Sequence, residues 1–153
     1  MNGADLNVNL NPILPSLTMF GFAVLVMIAD MFNYRGRKTT YGIIPWLALL
    51  GVALTGAVSF YLLGQPASSF QGMAVSDSFA LGIDFVVLVA AGLGILASVK
   101  YIPAVNHQVG EYYALLLLVA AGMMVMGSAF DLMVVFLALE IFSLGLYILS
   151  GLN

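Results

Sequence analysis

The sequence has no cysteine. A disulfide framework, a thiolate metal site and a cysteine nucleophile are therefore excluded. Charge is almost as scarce. Four of 153 residues are Lys or Arg and seven are Asp or Glu, so charged residues make up 7%. Soluble domains average about 25%, and a soluble globular domain is excluded. The few cations form no basic patch, which excludes nucleic acid as a partner. The one histidine, His107, falls in a predicted loop with no cysteine and no second histidine to join it. It reads as a solvated loop residue, and no metal is expected. No Walker motif, no GxGxxG before a helix, and no haem or iron–sulfur ligand set occurs, so no cofactor is expected in this chain. Residues Met1 to Asn11 carry no positive segment and no small-x-small cleavage site, so the first apolar run reads as a retained span.

Apolar sequence fills the space that charge leaves. The chain is 63% hydrophobic, with mean hydropathy +1.11. Five apolar runs stand out, at about 13–32, 41–63, 79–99, 112–129 and 130–152. A helix rising 1.5 Å per residue needs about 20 residues to cross a hydrocarbon core of about 30 Å. Each run is near that length and lacks the period-2 alternation of barrel strands. The expected fold is all-α: one membrane domain over 1–153, a polytopic bundle of five transmembrane helices in a lipid bilayer.

Polar breaks separate the runs at 33–40, 65–78 and 103–110. The last two runs are nearly continuous and predict a tight antiparallel hairpin. Ser128-Ala-Phe-Asp131 fits a capping box, with Ser128 as the cap and Asp131 reaching back. Arg35, Arg37 and Lys38 lie between spans 1 and 2, and Lys100 ends span 3. Five spans put both basic segments on one side. By the positive-inside rule that side is cytoplasmic and the N-terminus is outside. Gly51, Thr55 and Ser59, and likewise Ala90, Gly94 and Ser98, form small-xxx-small series that suit bundle packing.

Against this background one carboxylate stands out. Glu140 lies at the middle of the last run. A charge at bilayer mid-depth costs roughly 2.5–3.5 kcal/mol on insertion scales. Such residues face a bundle interior or a partner, and they commonly handle ions or protons. At 3.6 residues per turn, Met133, Phe136, Glu140, Ser143 and Tyr147 share a face. The Ser143 and Tyr147 hydroxyls make that face partly polar, as a proton relay requires. The competing reading is a protonated Glu140 that hydrogen-bonds a neighbouring helix. Asp84, shallower in span 3, either snorkels, pairs or has a functional role. Asp131 reads as a cap, Asp30 as a local ion pair with Arg35 or Arg37, and Lys100 as a topology anchor. No lysine lies inside any span, so the chain holds no internal cation for Glu140.

Several stretches resemble a known family: Gly110-Glu-Tyr-Tyr-Ala-Leu-Leu-Leu-Leu118, Gly122-Met-Met, Ser128-Ala-Phe-Asp-Leu132 and Phe136-Leu-Ala-Leu-Glu-Ile-Phe-Ser-Leu-Gly-Leu-Tyr147. So do Phe70-Gln-Gly-Met73 and Val75-Ser-Asp-Ser-Phe-Ala80. They are similar to the antiporter-like subunit N of respiratory complex I, the NADH-quinone oxidoreductase. The resemblance is close over about 65–152 and extends to the first two spans by pattern. It implies a membrane-arm subunit of about fourteen spans with inverted helical repeats, located in a bacterial inner membrane. It also implies that Glu140 belongs to the proton path and works with a lysine on a later helix. That lysine-bearing part must come from a continuation or another chain. Subunits K and M are the implied neighbours. FMN, iron–sulfur clusters and quinone are implied in other subunits. Two alternatives stay open: a subunit of a multi-subunit sodium/proton antiporter or membrane-bound hydrogenase, and a structural scaffold bundle.

Overall fold

A computed structural model describes residues 10–33, 43–63, 67–69, 74–104 and 109–151. A 3-10 turn, Asn11–Ile13, leads into α1, Leu14–Asn33. Then follow α2 (Ile43–Tyr61), the short strands β1 (Ala67–Ser69) and β2 (Ala74–Ser76), and α3 (Ser78–Ser98). A single turn, α4 (Tyr101–Ala104), precedes α5 (Val109–Ser128) and α6 (Leu132–Gly151). Among the described residues, five helices are long and apolar enough to cross a membrane. The all-α bundle expected from the apolar runs is thus the fold, and each helix lies within a few residues of its predicted span.

Local chemistry sets the ends. Pro12 stands in the 3-10 turn and Pro15 in the first turn of α1, where a missing N–H costs nothing. Pro45 stands likewise in the first turn of α2. Asp77 caps α3: its Oδ1 accepts the Ala80 N–H at 2.8 Å, as an N-cap aspartate does.

The loop expected over 65–78 contains a small hairpin. β1 and β2 pair antiparallel, with Ser68 opposite Val75. An isolated bridge joins Ala74 to Ala129, beside the α5–α6 link. The hairpin also packs on the 3-10 turn. It therefore ties together the N-terminal start, the entry to α3 and the exit of α5 at one end of the bundle. This is the hairpin end.

α5 is the central helix, packed against α1, α6, α3 and α2. Half of its apolar window is buried, against 11% for α6. The core contains Met19, Val26, Ala48, Leu88, Ile95, Tyr113, Leu117 and Met124. Small residues set the close approaches. A β-carbon on Gly51 would lie 2.7 Å from the Phe22 ring, and one on Gly127 would lie 2.8 Å from Ile83. The α2 series Gly51, Thr55 and Ser59 is wholly buried. The α3 series is not: Ser98 is buried but Ala90 is exposed, because α3 turns Asp84, Leu88, Ala91 and Ile95 inward.

Candidate functional site

α6 begins where Asp131 accepts the Met133 N–H at 2.8 Å. This corrects the expected capping box. α5 runs through Ser128, whose hydroxyl bonds back to the Val125 carbonyl at 3.1 Å. A serine engaged in closing one helix cannot cap the next, so Asp131 takes that place itself.

The rotation of α6 follows from two small residues. Its buried positions are Ala138 and Gly145, seven apart and therefore on one face. Both fit against α5, where a β-carbon on Gly145 would lie 2.5 Å from Val119 Cγ2. On α5 itself, a β-carbon on Gly122 would lie 3.1 Å from Phe142. At 3.6 residues per turn, Glu140 stands roughly 200° from Ala138 and Tyr147 about 180°. Ser143 stands about 140° away on the same count.

The stripe carrying Glu140 therefore points away from the bundle. Met133 and Tyr147 are each 72% exposed, and Phe136 is 60% exposed. Glu140 is exposed and Ser143 half-buried. α6 is held chiefly by α5, so this face has no partner helix among the described residues. Glu140 is the ninth of twenty residues in α6, about 12 Å from the helix start at 1.5 Å per residue. A carboxylate at mid-span thus stands on an open helix face. Among the described residues the one cation is Lys100, an exposed residue just after α3. Arg35, Arg37, Lys38 and His107 lie outside the described residues.

A second carboxylate is buried. Asp84 is only 6% exposed, seven residues into α3. The Ser59 hydroxyl of α2 donates to Asp84 Oδ2 at 3.5 Å. Of the options left open for Asp84, snorkelling is therefore excluded, and its partner is a hydroxyl. One turn before Ser59 on α2, Thr55 is also fully buried. Its Oγ1 lies 3.2 Å from Thr18 Oγ1 of α1. By spacing alone Thr55 and Ser59 are packing residues. The signal that they do more is their chemistry: both small positions carry a hydroxyl.

At the other end of the bundle, Asp30 accepts a hydrogen bond from the Gly110 backbone N–H. Gly110 is the second residue of α5, where N–H groups lack intrahelical partners. The arginines expected to pair with Asp30 lie outside the described residues, and its observed contact is the start of α5. Nearby, the Ser98 hydroxyl lies 3.3 Å from the buried Tyr113 hydroxyl.

These features define a polytopic α-helical membrane bundle with a mid-span carboxylate on an unpartnered helix face. Comparison with known proteins gives the relationship. The chain is 35% identical over 146 residues to NADH-quinone oxidoreductase subunit N of Trichlorobacter lovleyi, covering 95% of this chain and 29% of that protein. It is 35% identical over 133 residues to NADH-quinone oxidoreductase subunit N 2 of Roseiflexus castenholzii, covering 87% and 26%. Against subunit N of Chloroflexus aggregans the identity is 34% over 145 residues, covering 94% and 29%. No family model matches the chain. The chain is similar to NADH-quinone oxidoreductase subunit N, as its own motifs indicate, and it spans less than a third of the length of these proteins.

Proposed function

We propose that this chain is part of the membrane arm of a proton-translocating NADH-quinone oxidoreductase, with Glu140 as its proton-handling group. The observation that carries the proposal is a mid-span carboxylate on a helix face that no other described helix covers. Lipid alone disfavours a charge there by roughly 2.5–3.5 kcal/mol. A facing helix that brings a cation relieves that cost, and the resemblance to subunit N supplies a lysine in that role. Ser143 and Tyr147 flank Glu140 and offer hydroxyls for a short proton chain. The mechanism is electrostatic coupling. A protonated lysine across the interface favours the ionised carboxylate, and a neutral lysine favours its protonation. Binding of a proton at one site thereby alters binding at the other, reciprocally.

In this reading the chain performs no redox step. FMN, iron–sulfur and quinone chemistry belongs to other subunits, and subunits of the K and M types are the neighbours. The basic segments containing Arg35, Arg37, Lys38 and Lys100 face the cytoplasm of a bacterial inner membrane, and the hairpin end faces outward.

The test is Glu140→Gln in the assembled complex, with proton pumping and complex assembly both measured. Assembly is retained and pumping is lost or strongly reduced. Normal pumping in that variant overturns the proposal.

A further inference from the structure

The outer part of the α1–α2–α3 packing holds a polar seam that the Glu140 reading does not use. Asp84 is buried, and Ser59 donates to its Oδ2 at 3.5 Å. Ser59 and Thr55 are both fully buried and stand one turn apart on α2, a spacing of about 5–6 Å between β-carbons. A single water molecule spans such a gap with hydrogen bonds at both ends. Thr55 in turn lies 3.2 Å from Thr18. The Thr18 hydroxyl already donates to the Pro15 carbonyl at 2.7 Å, so Thr55 is the donor in that pair. Thr18 is half-buried and stands in the second turn of α1. The seam thus runs from a partly open hydroxyl to a buried carboxyl.

The seam ends at Asp84. Toward the other end of the bundle, the buried side chains between α2, α3 and α5 include Ala48, Leu88, Ala91, Ile95 and Leu117, all apolar. Among the described residues, access is therefore from the hairpin end. Nor, among the described residues, does a fixed charge face Asp84. The elements packed on α3 are α2, α5, β2 and α4. Their titratable side chains are Tyr61, Tyr101, Glu111, Tyr112 and Tyr113. Tyr61 is exposed, and the other four stand at the far end of the bundle. An ionised carboxylate buried without a counter-charge is costly, whereas a carboxylic acid has an O–H that hydroxyls and water can satisfy.

We infer that Asp84 is a second proton-binding group of this bundle, exchanging its proton with the hairpin-end aqueous phase through Ser59, Thr55 and Thr18. The step balances simply. A hydronium at the Thr18 end gives up one proton. The Thr18 and Thr55 hydroxyls first rotate so that Thr18 donates to Thr55; each hydroxyl, and the one water that bridges Thr55 to Ser59, then accepts one proton and donates one, and an Asp84 oxygen receives the last. Release is the reverse. The site is independent of Glu140, which stands on the outward face of α6.

The experiment is infrared difference spectroscopy of the assembled complex in native membranes, with pH steps and transfer from H₂O to D₂O. The protonated-carboxyl C=O band is the readout. A band that changes with pH, shifts in D₂O, disappears in Asp84→Asn and persists in Glu140→Gln is the expected result. Thr55→Val keeps the band and slows its deuterium shift. Ser59→Ala moves the band, because the carboxyl loses its hydroxyl partner, and this variant serves if Asp84→Asn does not assemble. The inference is overturned by a band that is indifferent to pH and D₂O. It is also overturned by deuterium exchange unchanged in Thr55→Val, or by a band unmoved in Ser59→Ala. Glu140→Gln separates the two sites: loss of pumping there with the Asp84 band intact leaves this inference standing on its own.

Discussion

Asp30 of α1 and Gly110 of α5 meet so closely that a β-carbon on Gly110 would overlap the Asp30 carboxyl. The reason is functional for the fold. Gly110 offers an N–H that no intrahelical carbonyl takes, and Asp30 accepts it. A carboxylate at a helix N-terminus also complements the helix dipole. Gly110→Ala therefore forces the two helices apart or turns Asp30 away. The expected cost is about 1–3 kcal/mol, as for other overpacked sites, read as a lower unfolding midpoint of the purified protein. Asp30→Asn keeps an acceptor oxygen, whereas Asp30→Ala loses the cap at about 0.5–2 kcal/mol. Equal stability of these two Asp30 variants would remove the cap from the account.

The second expected outcome concerns the seam between α5 and α6. Gly145 is buried beneath Val119, whose Cγ2 lies 2.5 Å from where a β-carbon would stand. Val119 is β-branched and has little rotamer freedom on a helix, so it cannot yield cheaply. Among the described residues α6 is held chiefly by α5, so the strain falls mainly on that one contact. Gly145→Ala should loosen α6, while Gly151→Ala, with open space around it, should not. Faster amide hydrogen exchange along α6 in the first variant alone is the expected pattern.

A third outcome separates the two aspartate caps from ordinary surface carboxylates. Asp77 and Asp131 each accept a backbone N–H at 2.8 Å at the start of a membrane helix. Asp131→Ser keeps a capping oxygen and should behave nearly as the native chain. Asp131→Ala should lose about 0.5–2 kcal/mol and fray the first turn of α6, which amide exchange at Met133 reports. The same pair of substitutions at Asp77 should act on Ala80.

Much of this fold was legible in the sequence because lipid enforces a simple rule. A segment that crosses the bilayer must satisfy its own backbone, so long apolar runs become helices. The five helices lie where the runs predict for that reason. Ends and partners were harder to read. The Ser128–Asp131 pattern matches a capping box, but which residue caps depends on where α5 stops, a matter of packing rather than of local spacing. The β1–β2 hairpin was invisible because strands of three residues carry almost no periodic signal. Glu140 was legible, since a mid-span carboxylate is unusual wherever it faces. The direction of that face was not: it follows from Ala138 and Gly145 seating on α5. Asp84 was legible as a residue but not as a site. Its partner Ser59 is 25 positions away, and only the packing of α3 on α2 joins them.

The last prediction divides a proton-handling Glu140 from a structural one. Among the described residues Glu140 is exposed and makes no hydrogen bond or ion pair that fixes a helix, so Glu140→Leu should leave the packing of α5 on α6 untouched. It should also ease entry of α6 into the membrane. On insertion scales a leucine at helix centre is favourable by a few tenths of a kcal/mol and a charged residue unfavourable by roughly 2.5–3.5 kcal/mol. A glycosylation reporter following α6 would show more complete insertion of the variant. If Glu140 were merely a tolerated polar group, Glu140→Leu would gain insertion and keep pumping in the assembled complex. If it carries protons, the same variant gains insertion and loses pumping. The two measurements then move in opposite directions, which a merely tolerated polar group does not explain.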